Sequence, residues 1–151
     1  VPAMYALALK RIGGANRELF PNGVPNLDDL NQGKLGDCFC LAPLGCLIAR
    51  DPKEVVDRIR RKPDGSYTVR FGTKEVAVAA PTDAEVALTA SAGGDGLWVN
   101  VYEKAVAALR AEEAKAKTDG PVAAPLDLLG KGGSAGTMMG VVTGHAIERF
   151  S

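Results

Sequence analysis

The segment Gln32-Gly33-Lys34-Leu35-Gly36-Asp37-Cys38 carries the residues best suited to chemistry, and it runs directly into an apolar stretch, residues 39–48. A cysteine that opens a helix faces the positive end of the helix dipole. That position favours the thiolate, which is the nucleophilic form. Asp37 stands where a helix N-cap belongs and is read as a cap, not as an acid or base. Gln32 lies six residues before Cys38 across a glycine-containing loop. Such a loop can fold the side-chain amide back beside the sulfur, where its N–H would stabilise the oxyanion formed when a thiolate attacks a carbonyl. Cys38 and Gln32 are therefore the candidate catalytic residues. Cys40 and Cys46 read as core residues of the same helix. With one histidine in the chain and no second cysteine pair, Cys38-x-Cys40 does not make a zinc site.

The elements that must position these residues follow from periodicity and punctuation. Residues 3–12 predict a helix that Gly13-Gly14 ends. Residues 15–37 carry Asn, Pro, Gly and Asp at loop density. The Cys38 helix is expected to run to about Ala49, with a kink at Pro43, which lacks the N–H for one helical bond. Asp51-Pro52 opens a short helix over residues 53–60, Asp51 serving as cap. Strands over residues 67–71 and 75–79 flank a turn at Gly72, and residues 86–89 suggest a third. Residues 97–115 predict an amphipathic helix with Leu97, Val101, Ala105, Ala108 and Leu109 on one face. Residues 114–124 read as a linker, residues 126–144 alternate short helical pieces with glycines, and residues 146–150 read as a strand.

Composition narrows the function classes. A chain of 151 residues builds one domain with a real core. Its 46% hydrophobic and 24% charged content is globular and suggests neither disorder nor a membrane protein. Eighteen basic and eighteen acidic residues leave no excess positive charge, so a nucleic-acid partner held through phosphates is not expected. The longest apolar run is broken by Pro43 and Gly45 and is too short to span a bilayer, so no membrane partner is expected. Three cysteines, an odd number, and no secretory signal suit a reducing compartment, with the cytoplasm as default. The chain starts Val-Pro and stops within the last predicted strand, which suggests a piece of a longer protein.

The Cys38 segment, followed by the aromatic Phe39, resembles the active-site segment of calpain-type cysteine proteases, Q-G-x-L-G-D-C-W. Leu97-Trp98, with Glu103-Lys104-Ala105 after it, is similar to the calpain Trp followed by Glu-Lys-Ala on a helix. Gly132-Gly133-Ser134 leading to Thr143-Gly144 is similar to the glycine-rich segment that closes the first half of the calpain core. The three stand in the family's order, with the hairpin between the first two. The resemblance implies an α+β, papain-like fold. Residues 1–14 would be an N-terminal helix, and residues 15–151 the first, mostly helical subdomain with a small antiparallel sheet. It implies a cysteine endopeptidase acting on a protein or peptide substrate through a thioester acyl-enzyme. Cys38 would be the nucleophile, and Gln32 and the Cys38 backbone N–H the oxyanion hole. A His and an Asn would come from the missing second half of the core. In this reading Trp98 packs the helix beneath the cleft.

His145 is the only histidine. Gly144-His145-Ala146 matches the surroundings of the calpain catalytic histidine. Against that role, the stretch from Cys38 to His145 is short for the family, Thr143-Gly144 already matches the end of the first half-core, and only six residues follow. The base is therefore expected beyond Ser151, and the fragment alone is expected to be inactive. Calpains bind calcium in this half through two acidic positions. Asp29 falls at the first, Gly96 occupies the second, and Asp95 is one residue out of register. The resemblance admits calcium, but the ligand pattern is incomplete, so no calcium site and no other cofactor is predicted. The alternative is a calpain-like module kept as a non-catalytic binding or scaffold domain, towards which Pro43 and the absent Trp after Cys38 point.

Overall fold

The computed structural model describes residues 2–150. The chain order is α1 (Pro2–Gly14), α2 (Cys38–Arg50), α3 (Lys53–Val56), β1 (Ile59–Arg61), β2 (Tyr67–Phe71), β3 (Lys74–Val78), α4 (Asp83–Leu88), α5 (Trp98–Lys117), α6 (Pro125–Leu129) and α7 (Ala135–Thr143). Short 3-10 turns at Leu27–Asp29 and Gly93–Asp95 punctuate the loops.

Helix α5 is the axis of the domain. Trp98, Val99, Val101 and Ala105 have no exposed surface, and burial extends around the helix before Lys104. The expected stripe residues Leu97, Val101, Ala105 and Leu109 are buried, but so are the other sides of the helix as far as Ala107, and beyond Leu109 no residue is buried. A helix that is apolar all round must be interior, and other elements cover this one. The three-stranded antiparallel sheet, in order β1-β2-β3, lays Tyr67, Val69, Phe71, Val76 and Val78 inward. The Phe71 ring stands 6.0 Å from that of Tyr102 on α5. The Tyr102 hydroxyl donates to the Cys40 carbonyl at 2.9 Å, tying α5 to α2. Helix α7 packs on α2, α6 on α5, and α1 on α4.

Most expected elements are present, and α2 continues unbroken through the buried Pro43. Three differ. Helix α3 stops at Val56, because the chain turns there and Ile59 enters the sheet opposite Val69. Residues 86–89 are not a strand: Thr82 and Glu85 form a reciprocal capping box that starts α4, a device that fixes a helix N-terminus. Residues 146–150 form no strand either, but fold back along α7. Ile147 lies against Gly140, and the Arg149 guanidinium donates to Ser134 Oγ and Thr137 Oγ1. Among the described residues, no helix is long and apolar enough to cross a membrane.

Leu44 on α2 is 1% exposed, at the centre of this packing. Leu44→Ala should lower the unfolding free energy by about 2–5 kcal/mol in urea titration, with the native circular dichroism spectrum retained.

Candidate active site

Cys38 is the first residue of α2 and is exposed. Asp37 occupies the cap position, and its carbonyl accepts the N–H groups of Cys40 (2.9 Å) and Leu41 (3.4 Å) and the Cys40 thiol (3.1 Å). Its side chain does not cap. The carboxylate is fully buried and makes no bond to the helix N–H groups. The expected capping role is thus limited to the backbone. In consequence the N–H groups of Cys38 and Phe39 have no acceptor among the described residues. The first turn of a helix offers such donors to an anion.

The Gln32 loop is held in place by backbone pairing. Asn31 and Ser91 exchange two N–H···O bonds of 2.8 Å, and the Lys34 N–H donates to the Leu88 carbonyl at 3.0 Å. Gly33 lies between these bonds, where a Cβ would overlap the backbone of Leu88 and Thr89. Gly36, at φ +65°, then turns the chain into Asp37. From α1, Arg11 donates to the carbonyls of Ala87 (3.3 Å), Thr89 (3.1 Å) and Gln32 (3.3 Å). Gln32 itself is exposed, and its amide makes no hydrogen bond among the described residues.

Helix α5 braces the other side of residues 88–91. Asn100 Nδ2 donates to Thr89 Oγ1 (2.8 Å) and the Ala90 carbonyl (2.9 Å), and Glu103 Oε2 accepts the Ala90 N–H at 2.7 Å. The remaining Glu103 oxygen and both Asp37 oxygens are buried without a hydrogen-bond donor. One ligand atom each of Asp37, Cys40 and Glu103 lie within 4.8 Å of one another. Burial, and then the Asp37 carboxyl, push the Glu103 acid well above the usual carboxylate range. Burial above all, with Glu103 and Asp37 adding to it, raises the Cys40 thiol far above ordinary cysteine. Cys40 is thus the inert core thiol expected. Cys46 is not in the core: Leu44, Leu47 and Ile48 take the buried stripe and leave it exposed.

The third motif also comes to α2. The Arg110 guanidinium stacks 4.1 Å from the Phe39 ring centroid. A Cβ on Gly133 would overlap both groups. Gly132-Gly133-Ser134 therefore abuts the residue after Cys38, and Ser134 caps α7. At its other end α7 meets the hairpin turn. The Val142 carbonyl accepts the Gly72 N–H (3.1 Å) and Arg58 Nε (3.3 Å), and Gly144 packs on Gly72. Nine helical residues span about 13 Å. His145 follows that distal end, exposed, so α7 does not bring it to Cys38.

A sequence profile described as calpain family cysteine protease matches residues 9–140. The chain belongs to the calpain family. No curated protein and no solved structure matches it. Its α+β architecture, mostly helical with one small antiparallel sheet, is that of a calpain or papain-like domain. The calpain calcium positions do not fit the ion. Gly96 has φ +110°, and any side chain there would overlap the Leu19 carbonyl. The Asp95 carboxylate is 3% exposed and already accepts from Asn22 Nδ2 (2.9 Å), the Asn26 N–H (2.7 Å) and Trp98 Nε1 (3.3 Å). It organises the loop over Trp98 and presents no free face to a cation that needs several oxygens.

Sequence reasoning named Glu103 only as part of a motif, without a role, and did not name Arg11. Glu103 had a signal: it is a charged residue in line with Val99 and Val106 on a buried helix face, where a carboxylate requires partners. Arg11 had none, because its acceptors are backbone carbonyls distant in the chain.

Gly33→Ala should destabilise the domain by about 1–3 kcal/mol through overpacking. Amide hydrogen exchange should accelerate at Lys34, whose bond to Leu88 cannot survive the displacement.

Proposed function

We propose that this calpain-family chain is the nucleophile-bearing half of an endopeptidase core. The observation that supports it is the start of α2, where an exposed thiol adjoins helix N–H groups that have no acceptor among the described residues. Cys38 attacks the scissile carbonyl. The Cys38 N–H and the Gln32 amide bind the oxyanion, and a thioester forms as the amine leaves. The Gln32 side chain makes no hydrogen bond among the described residues and sits on a loop held by residues 88–91. The substrate is a protein or peptide.

The base that accepts the thiol proton, and the Asn that orients it, belong to a second half of the core. The course of α7 supports this, since it carries His145 away from the Phe39 end of α2. No step of this mechanism needs a metal.

A peptidyl epoxide should label Cys38, and Cys38→Ser should abolish labelling as read by peptide mass. His145→Ala should leave the labelling rate within about twofold of the parent, because a general base in place would contribute 10²–10⁴-fold. Turnover of a fluorogenic peptide that His145→Ala abolishes would contradict the assignment of the base to the other half. Labelling that ignores Cys38 would favour a non-catalytic module.

A further inference from the structure

We propose that Asp37 and Glu103 share one proton, and that this acid–carboxylate pair is the strut that sets Cys38 against the Gln32 loop. Glu103 is then a positioning residue. The proposal rests on Cys38 being the nucleophile and extends that reading to its support.

The geometry requires a proton between the two groups. Both side chains are fully buried, and three of their four oxygens have no hydrogen-bond donor. Two carboxylates this close in the core cannot both ionise, and neither tolerates burial without a partner. The charged groups facing them do not neutralise them. Arg11 of α1 is committed to the carbonyls of Gln32, Ala87 and Thr89. Arg110 of α5 holds the Leu128 carbonyl and the Phe39 ring. Arg58 holds the Val142 and Glu54 carbonyls. Of the other titratable neighbours, the Tyr102 hydroxyl donates to the Cys40 carbonyl, and the Cys40 thiol to that of Asp37. A hydroxyl on Glu103 Oε1 donating to one Asp37 oxygen engages two of the three unpartnered oxygens and leaves one negative charge rather than two.

The pair also joins the two halves of the site. Asp37 carries the first turn of α2 on its carbonyl. Glu103 Oε2 holds the Ala90 N–H, and residues 88–91 hold Asn31 and Lys34 on either side of Gln32. A second route runs through α5, by Tyr102 to the Cys40 carbonyl and by Asn100 to Thr89 and Ala90, but it meets α2 beyond its first residue. A strut across the Gln32 loop fixes the distance an oxyanion hole depends on.

The test uses Glu103→Gln, Glu103→Ala and Cys38→Ser. The parent at neutral pH should show the infrared carbonyl band of a buried protonated carboxylic acid. That band should survive Cys38→Ser and vanish in Glu103→Gln. The Glu103 acid is held above its ordinary value of 4.5 in the fold. Raising the pH from about 5 to about 9 should therefore lower the parent's melting temperature, as the unfolded acid releases its proton first. Glu103→Gln, whose amide makes both bonds without titrating, should lose that slope. It should also keep Cys38 labelling by the peptidyl epoxide within about threefold of the parent, whereas Glu103→Ala should slow labelling at least tenfold with Cys46 alkylation unchanged. If Glu103→Ala does not fold, the band and the pH slope decide. An absent band, a slope retained in Glu103→Gln, or a melting temperature that falls with a metal chelator overturns the shared proton. A parent that labels at Cys46 rather than Cys38, with band and slope intact, overturns the nucleophile reading instead.

Discussion

The surroundings of Cys38 depend on residues 88–91, the last residue of α4 and the segment after it, hydrogen-bonded on both sides. One side pairs with Asn31 and Lys34, and the other receives Asn100 and Glu103 from α5. Backbone outside regular helix or sheet must find a partner for each N–H and C=O once buried. Here the partners are the loop that carries Gln32 and the buried first half of α5. The rigidity of α5 therefore passes to a surface loop through backbone bonds, and Arg11 adds a clamp from α1. The Glu-Lys-Ala triplet acquires a physical meaning in this frame. Glu103 holds Ala90, Lys104 bridges to Glu85 at 2.7 Å at the start of α4, and Ala105 leaves room for close packing.

The start of α2 gives up stability for this arrangement. A capping aspartate contributes about 1 kcal/mol when its side chain takes a helix N–H. Asp37 does not, and its carboxyl is buried instead against Glu103. What the helix loses in capping, the site gains as two donors open to an anion beside an exposed sulfur. Strain and unsatisfied groups of this kind concentrate at functional positions. The same helix carries a second exposed thiol, Cys46, near its other end, where the dipole is unfavourable to a thiolate.

What the sequence revealed was local, and what it concealed was not. The helix start at Cys38, the hairpin at Gly72 and the long helix after Leu97 are encoded in neighbouring residues, and all three are present. Strand β1 escaped notice because only Ile59 of its three residues is buried, so no alternation could appear. Helix α4 was hidden by the apolar run Val86-Ala87-Leu88, although Thr82 and Glu85 announced its start. The burial of Asp37 depends on Glu103, far along the chain, and a capping rule applied to Asp37 alone gives the wrong side-chain direction. The exposure of Cys46 was ambiguous because a helix containing Ala42, Pro43, Gly45 and Ala49 has a poorly defined apolar face. The three resemblance motifs fared better: the fold brings all of them to α2 and α5.

The most direct test of the account is competitive alkylation of the three thiols by iodoacetamide near neutral pH, followed by peptide mapping. Exposed thiols differ in rate through their thiolate character, and a buried one through access. The account predicts that Cys38 reacts about tenfold or more faster than Cys46, with Cys40 silent until the protein unfolds. Cys46 reacting as fast as Cys38 or faster would contradict it, because the start of α2 would then confer no reactivity on its sulfur.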